Sequence, residues 1–103
     1  NVTFSTPLSI GSFSTGTNVL SAFDGLVDEV SVFNSVLSGT DIATIYGTGT
    51  PSDISTLNPV AWYRMGDEAT FSGGNWTLTD QGSGSNNATS QNMEEADRKT
   101  NTP

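Results

Sequence analysis

Apolar and polar positions alternate through "FDGLVDEVSVFN", Phe23 to Asn34. The spacing predicts a strand with Leu26, Asp28, Val30 and Val32 on one side and Val27, Glu29, Ser31 and Phe33 on the other. Both sides carry apolar residues, which predicts a central strand over Gly25 to Phe33. The period then changes. In "LSGTDIATIYGTG", Ser38 is placed as an N-cap with Asp41 three residues on, the spacing of a capping box, and Leu37 and Ile42 are placed as a hydrophobic staple. Ile42, Ile45 and Tyr46 share a face at helical spacing, and Gly47 supplies the stop. A helix of about two turns does not stand alone, so its apolar stripe is expected on the sheet.

The flanking segments are less regular. "NVTFSTPLSIGSFS" (Asn1 to Ser14) reads as strand pieces broken by Pro7 and Gly11, and Ser14 to Asn18 as a loop. Gly47 to Pro59 reads as a linker by its prolines and glycines. "VAWYRMGD" is a second strand, with Ala61, Tyr63 and Met65 alternating with Val60, Trp62 and Arg64. From Glu68 to Pro103 the sizeable apolar residues are Phe71, Trp76, Leu78 and Met93. That is too few to offset the ordering entropy of the segment, so it is expected to lie against a richer surface.

Composition narrows the chemistry. With 103 residues and 33% hydrophobic content the chain allows one small domain with a thin core. It has no Cys and no His, which excludes disulfides, thiolate chemistry and Cys/His zinc sites. A metal would need oxygen ligands, which suits calcium. The net charge is −8, and Arg64, Arg98 and Lys99 are the only basic residues. No basic stripe exists for nucleic acid or an anionic membrane surface, and no apolar run is long enough for a membrane span. The polar start "NVTFSTP" reads as an excerpt of a larger protein or a processed product.

Asp28 on the apolar side of its strand raises a question, because an unpartnered buried carboxylate costs several kcal/mol. Backbone N–H groups of a neighbouring loop, or Arg64, would satisfy it. Asp28 is therefore expected to be buried scaffolding, with Glu29 exposed on the other side. A glycosidase would need two carboxylates roughly 5–9.5 Å apart. Asp28 and Glu29 point to opposite faces, and Asp24 and Asp28 on one strand would stand about 13 Å apart. Asp67-Glu68 and Glu94-Glu95 lie near loops. No nucleophile, base and oxyanion set is present, so no catalytic residue is assigned. For sugar stacking the candidates are Trp62, Tyr63 and Trp76, weighed against ordinary sheet packing. For calcium the oxygen donors are Asp67 and Asp80, with Asn86 and Asn87 near, though no calcium-loop spacing is matched. Asn1, Asn75 and Asn87 head glycosylation patterns, which carry meaning only in a secretory protein.

Gly25 to Asn34 followed by Leu37 to Tyr46 resembles the closing section of laminin G-like, concanavalin A-like jelly-roll domains. There a G-x-(I/V)-D-E-(V/I)-x-(I/V)-(F/Y)-N strand precedes x-L-S-x-x-(D/E)-I-x-x-(I/L)-Y. Residues 1–55 are read as that closing section. Residues 56–103, with "VAWYRMGDEATFSGGNWTLTDQGSGSNNAT", resemble the loop-rich opening strands of a following module of the same kind. Met65 replaces the usual aromatic residue, Gly66-Asp67 sits at the acidic pair, and Asp80 to Thr89 replaces the Asp-Ser-Gly-Asn-Gly loop. Together with "NMEEADR" this is similar to tandem laminin G-like modules in phage virion proteins.

The resemblance implies an all-β fold, an antiparallel jelly-roll sandwich present in part, with one short helix. Gly25, Asp28, Ser38 and Gly47 are its structural positions. It implies a non-enzymatic structural or adhesion module of a larger assembly, a capsid-decoration or tail/fibre protein located in the virion. Its partners would be other subunits or the remainder of its own chain. The alternative is a carbohydrate-binding, lectin-like module of a secreted or cell-surface protein, with glycans as partners. Neither reading calls for nucleic acid, membrane insertion or a cofactor other than calcium.

Overall fold

The computed structural model describes residues 10, 12–14, 19–90 and 93–99. The strand breaks expected at Pro7 and Gly11, the loop residues 15–18 and the Asn1 glycosylation pattern lie outside the described residues. The regular elements of the described part are mostly strands, with one α-helix. In chain order come β1 (Ser12–Ser14), β2 (Val19–Ala22), β3 (Val30–Val32), α1 (Gly39–Tyr46), β4 (Ala61–Tyr63), β5 (Ala69–Ser72), β6 (Asn75–Leu78) and β7 (Ala88–Thr89). Short 3₁₀ turns lie at Ser55–Leu57 and Glu95–Asp97. All pairing is antiparallel, in the orders β1-β2, β3-β4 and β5-β6-β7.

The strand of "FDGLVDEVSVFN" is shorter than its alternation predicts. It begins at Val30 because Glu29 stands at φ 50, left-handed backbone that interrupts the pleat. Its ladder joins Val30 to Tyr63, Ser31 to Trp62 and Val32 to Ala61. This pairing spans the division drawn between residues 55 and 56. Among the described residues β4 is its one strand neighbour, so the expected central position is not seen. Directly opposed residues share a face, and this decides which side is the core. Trp62 is 4% exposed, whereas Val32 is 38% exposed. The buried face is therefore the one carrying Ser31 and Trp62. Counting apolar residues within β3 alone selects the wrong face.

Helix α1 forms as its capping signals require. The Asp41 N–H donates to Ser38 Oγ at 3.1 Å, and the Ser38 N–H donates to Asp41 Oδ2 at 2.8 Å. At the other end the Gly47 N–H donates to the Ala43 carbonyl at 3.0 Å, with Gly47 at φ 53. Among the described residues the expected docking of its stripe is not seen, and Ile45 alone of the stripe is half-buried. Ile42 is 57% and Tyr46 73% exposed, and no helix residue is buried. Capping is local and forms regardless of packing, whereas a stripe needs a surface to cover it.

The segment read as a linker supplies a core residue instead. Ile54 is buried together with Trp62 and Trp76. The polar stretch after Glu68 also builds a sheet of its own. Gly73 and Gly74, both at positive φ, turn β5 into β6 through a two-residue hairpin loop. Phe71 and Trp76 face each other across it, ring centroids 5.3 Å apart and tilted by 56°. A tight hairpin needs little ordering beyond its own turn, and Trp76 gives it a large apolar side chain to bury.

Gly47 carries a direct test of the helix stop. A Cβ there would lie 2.7 Å from Ser52 Oγ, on a backbone at φ 53. Gly47→Ala is expected to lower stability by roughly 1–2 kcal/mol through left-handed strain, measured by urea unfolding. An unchanged midpoint would show that the helix end relaxes freely.

Candidate functional site

Strand β4 is held along both edges. One edge pairs with β3. The other is covered by the loop Asp80 to Asn87, whose chemistry begins with an Asp two residues before a Gly, the spacing of an Asx turn. Asp80 Oδ1 accepts the Trp62 N–H at 2.9 Å and the Gly82 N–H at 2.8 Å. Its Oδ2 accepts the Asn86 N–H at 2.9 Å. The Asp80 N–H in turn donates to Asn87 Oδ1 at 3.0 Å. The loop then continues as a substitute strand. Gln81, Ser83 and Gly84 donate their N–H groups to the carbonyls of Trp62, Pro59 and Val60 at 2.8, 3.0 and 2.8 Å. Such close approach requires missing side chains. A Cβ on Gly82 would lie 2.7 Å from Ala61 Cα, and one on Gly84 2.7 Å from the Val60 carbonyl oxygen.

The side chains of β4 meet a second carboxylate. Trp62 Nε1 donates to Glu29 Oε2 at 2.7 Å, and Arg64 Nε donates to Glu29 Oε1 at 3.1 Å. The Arg64 guanidinium lies 5.5 Å from the Trp62 ring centroid and reaches Asp67 Oδ2 at 2.8 Å. The hydrogen bond that Arg64 donates to Glu29 raises its pKa above the ordinary value. Glu29 thus fixes the orientation of the indole, while Asp80 fixes the backbone of the same residue.

The scaffolding role expected of Asp28 belongs to these two groups. Asp28 is half-buried, and its Oδ1 accepts the N–H of its own neighbour Glu29 at 3.0 Å. Arg64, proposed as its partner, pairs with Glu29, which is half-buried and not exposed as expected. Gly25 is exposed and lies under the Phe23 ring, with a built Cβ 2.6 Å from its edge. Ser38 and Gly47 hold the two ends of α1.

The stacking candidates are turned inward. Trp62 and Trp76 are 4% and 8% exposed, leaving little ring face for a sugar. Trp76 Nε1 donates to the Glu94 carbonyl at 3.0 Å, and its N–H to the buried Ser90 Oγ at 2.9 Å. Tyr63 is half-buried, with its hydroxyl donating to the Asn86 carbonyl at 2.6 Å. Burial, with the Asp80 charge, raises its pKa above the ordinary 10.0. The oxygen donors do not assemble a calcium site. Asp67 is exposed and paired with Arg64. Both Asp80 oxygens are occupied by N–H donors, and among the described residues no group of three or more acidic side chains stands together. The Asn87 side chain is committed to Asp80.

Sequence reasoning misplaced Glu29 and Asp80, and for Asp80 the Asp-x-Gly spacing is the signal that points to its role. No family model, no curated protein and no solved structure matches this chain. The laminin G-like resemblance therefore rests on its motif residues alone.

The Asp80 clamp predicts a pH dependence with a definite sign. Burial pushes the Asp80 carboxyl up, but the N–H groups of Asn86, Trp62 and Gly82 together outweigh it and hold the pKa below the ordinary 3.8. A depressed folded pKa contributes stability that is present above the unfolded value, about 3.9, and is lost as pH falls through the folded value. Asp80→Asn places an NH₂ group where one oxygen accepted. It is expected to cost at least about 2 kcal/mol at pH 7, given that hydrogen bonds to charged groups contribute about 1.5–3 kcal/mol each. The variant should also lose part of the acid-induced destabilisation below about pH 4. Urea unfolding at pH 7 and pH 3 measures both, and a variant as stable as the parent at pH 7 refutes the clamp.

Proposed function

We propose that this chain is a non-enzymatic structural or adhesion module, built to be completed by other polypeptide surface in a larger assembly. The observation that carries the reading is the uneven distribution of its apolar residues. Phe23, Leu26, Val27, Val32, Val36, Ile42 and Tyr46 are all exposed, Val36 completely so at 100%. Among the described residues the buried apolar side chains of Ile54, Trp62 and Trp76 all come from later in the chain. A soluble domain that ended at this surface would leave much of its larger apolar content in water, which is the mark of an interaction site.

The chemistry of the carboxylates supports the same reading. Glu29 and Asp80 are spent on holding β4, and neither faces a partner group as an acid and base pair would. The resemblance to laminin G-like modules suggests the fold that assembly would complete, a jelly-roll sandwich in which β3 gains a second neighbour. It also suggests the setting, a phage particle in which neighbouring subunits supply strands and apolar surface. The lectin-like alternative has weaker support, because its two tryptophans are buried.

Two measurements on the isolated chain test this. Ile42→Ser with Tyr46→Ser is expected to change unfolding stability by no more than about 0.5 kcal/mol, as for surface positions, while reducing the binding of an apolar dye. A loss above about 2 kcal/mol would mean that the α1 face is packed within the chain. On a glycan array and against β-glucan the protein is expected to show neither saturable binding nor hydrolysis, and either activity would overturn the assembly reading.

A further inference from the structure

A cavity of about 360 Å³ opens between four separated segments of the chain. That volume lies at the lower end of the range of small-molecule pockets, roughly 300–1,000 Å³. Leu26 and Val27 come from the segment before β3, Met65 from the turn after β4, Trp76 and Leu78 from β6, and Met93 from the segment after β7. Both methionines of the chain are among them, and thioether side chains adapt their shape to a varied apolar guest. Trp76 is largely buried and contributes only a small part of the wall, its indole N–H being used by the Glu94 carbonyl.

The charged residues lining the same cavity make it unusual. Asp28, Asp97, Arg98 and Lys99 all contribute to its wall. Arg98 and Lys99 are two of the three basic residues in a chain of net charge −8. Among the described residues the ion pairs are those of Arg64 with Glu29 and Asp67. The two cations and two carboxylates of the cavity therefore stand more than 4.0 Å from any opposite charge among themselves. Each carboxylate uses one oxygen locally, Asp28 Oδ1 for the Glu29 N–H and Asp97 Oδ2 for the Glu94 N–H. The second oxygen of each has no hydrogen bond among the described residues. An apolar floor ringed by separated charges of both signs complements a molecule with an apolar body and both charges on one end.

We propose that this cavity binds a free α-amino acid with an apolar side chain. The side chain enters among Leu26, Met65, Leu78 and Met93. The carboxylate faces Arg98 and Lys99, and the ammonium faces Asp28 and Asp97. A simple anion or a simple cation would satisfy only half of the charged wall and would meet like charge on the other half. The cavity shares Leu26 and Val27 with the exposed apolar surface described above, but ligand binding there does not depend on the assembly role.

The test titrates the full chain with L-leucine, N-acetyl-L-leucine, L-leucinamide and L-alanine, following backbone amide shifts by NMR. L-leucine is expected to saturate with a Kd of about 1 mM or below, with shifts at Leu78 and Gly66. Each capped analogue should bind at least about tenfold more weakly because one charge is removed. L-alanine, lacking the apolar body, should be weaker by a similar factor. Arg98→Gln with Lys99→Gln should reduce leucine to the affinity of leucinamide, and Asp28→Asn to that of N-acetylleucine. Asp97→Asn serves if Asp28→Asn perturbs the fold, as judged by its spectrum. No saturation by L-leucine up to about 10 mM overturns the proposal, as does equal binding of leucine and its two capped analogues.

Discussion

The Asp80 carboxylate stands where a strand would otherwise lie along the outer edge of β4. A strand edge left unpaired and buried would expose its amide to neither water nor partner, a cost of about 1–3 kcal/mol per group. Asp80 removes that cost at Trp62 and at the same time satisfies two amides of its own loop. The loop can then lie flat against Pro59 to Trp62, which is why Gly82 and Gly84 have no room for a side chain. The backbone position of Trp62 follows from this one group. So does the geometry of the strand pair, since β3 builds on the other edge of β4.

Glu29 completes the arrangement from the side-chain direction. It joins the indole of Trp62 to the guanidinium of Arg64, linking residues 33 and 35 positions away in the chain. A carboxylate with two donors is satisfied, and a buried indole N–H with a charged acceptor is held strongly. The left-handed backbone at Glu29 is the local strain that accompanies this pairing, and it delays the start of β3 to Val30. The result is a chain of uneven character. Around Trp62 and Trp76 the polar groups are matched and the apolar groups covered. Between Phe23 and Tyr46 the backbone is formed, but Phe23, Leu26, Val27, Val32, Val36, Ile42 and Tyr46 are left outward, which is the physical basis for the proposed assembly role.

How much of this was legible depends on how local each interaction is. Helix α1, its Ser38 and Asp41 capping box and its Gly47 stop were readable because their partners lie within four residues. The two-strand character of "GLVDEVSVFN" and "VAWYRMGD" was readable from alternation. Their pairing was not, because nothing within either segment specifies Ser31 opposite Trp62. Without that register the valines of β3 outweigh Trp62, and the pattern favours Asp28 over Glu29. Asp80 reads equally as a cation donor, because an isolated Asp near Asn and Gly carries either meaning. Its Asx-turn spacing distinguishes the two only when the amide of a distant strand is known to be present. The hairpin at Gly73-Gly74 was hidden by the low apolar content around it, although its turn chemistry is local.

The central claim is that Asp80, its loop and β4 form one cooperative unit. Native-state hydrogen exchange at the amides of Trp62, Gly82 and Asn86, read by NMR, tests it most directly. All three donate to the same carboxylate, so the account predicts that they exchange with one common opening free energy, close to that of global unfolding. Protection at Trp62 with exchange at Gly82 and Asn86 as fast as in an open loop would contradict it.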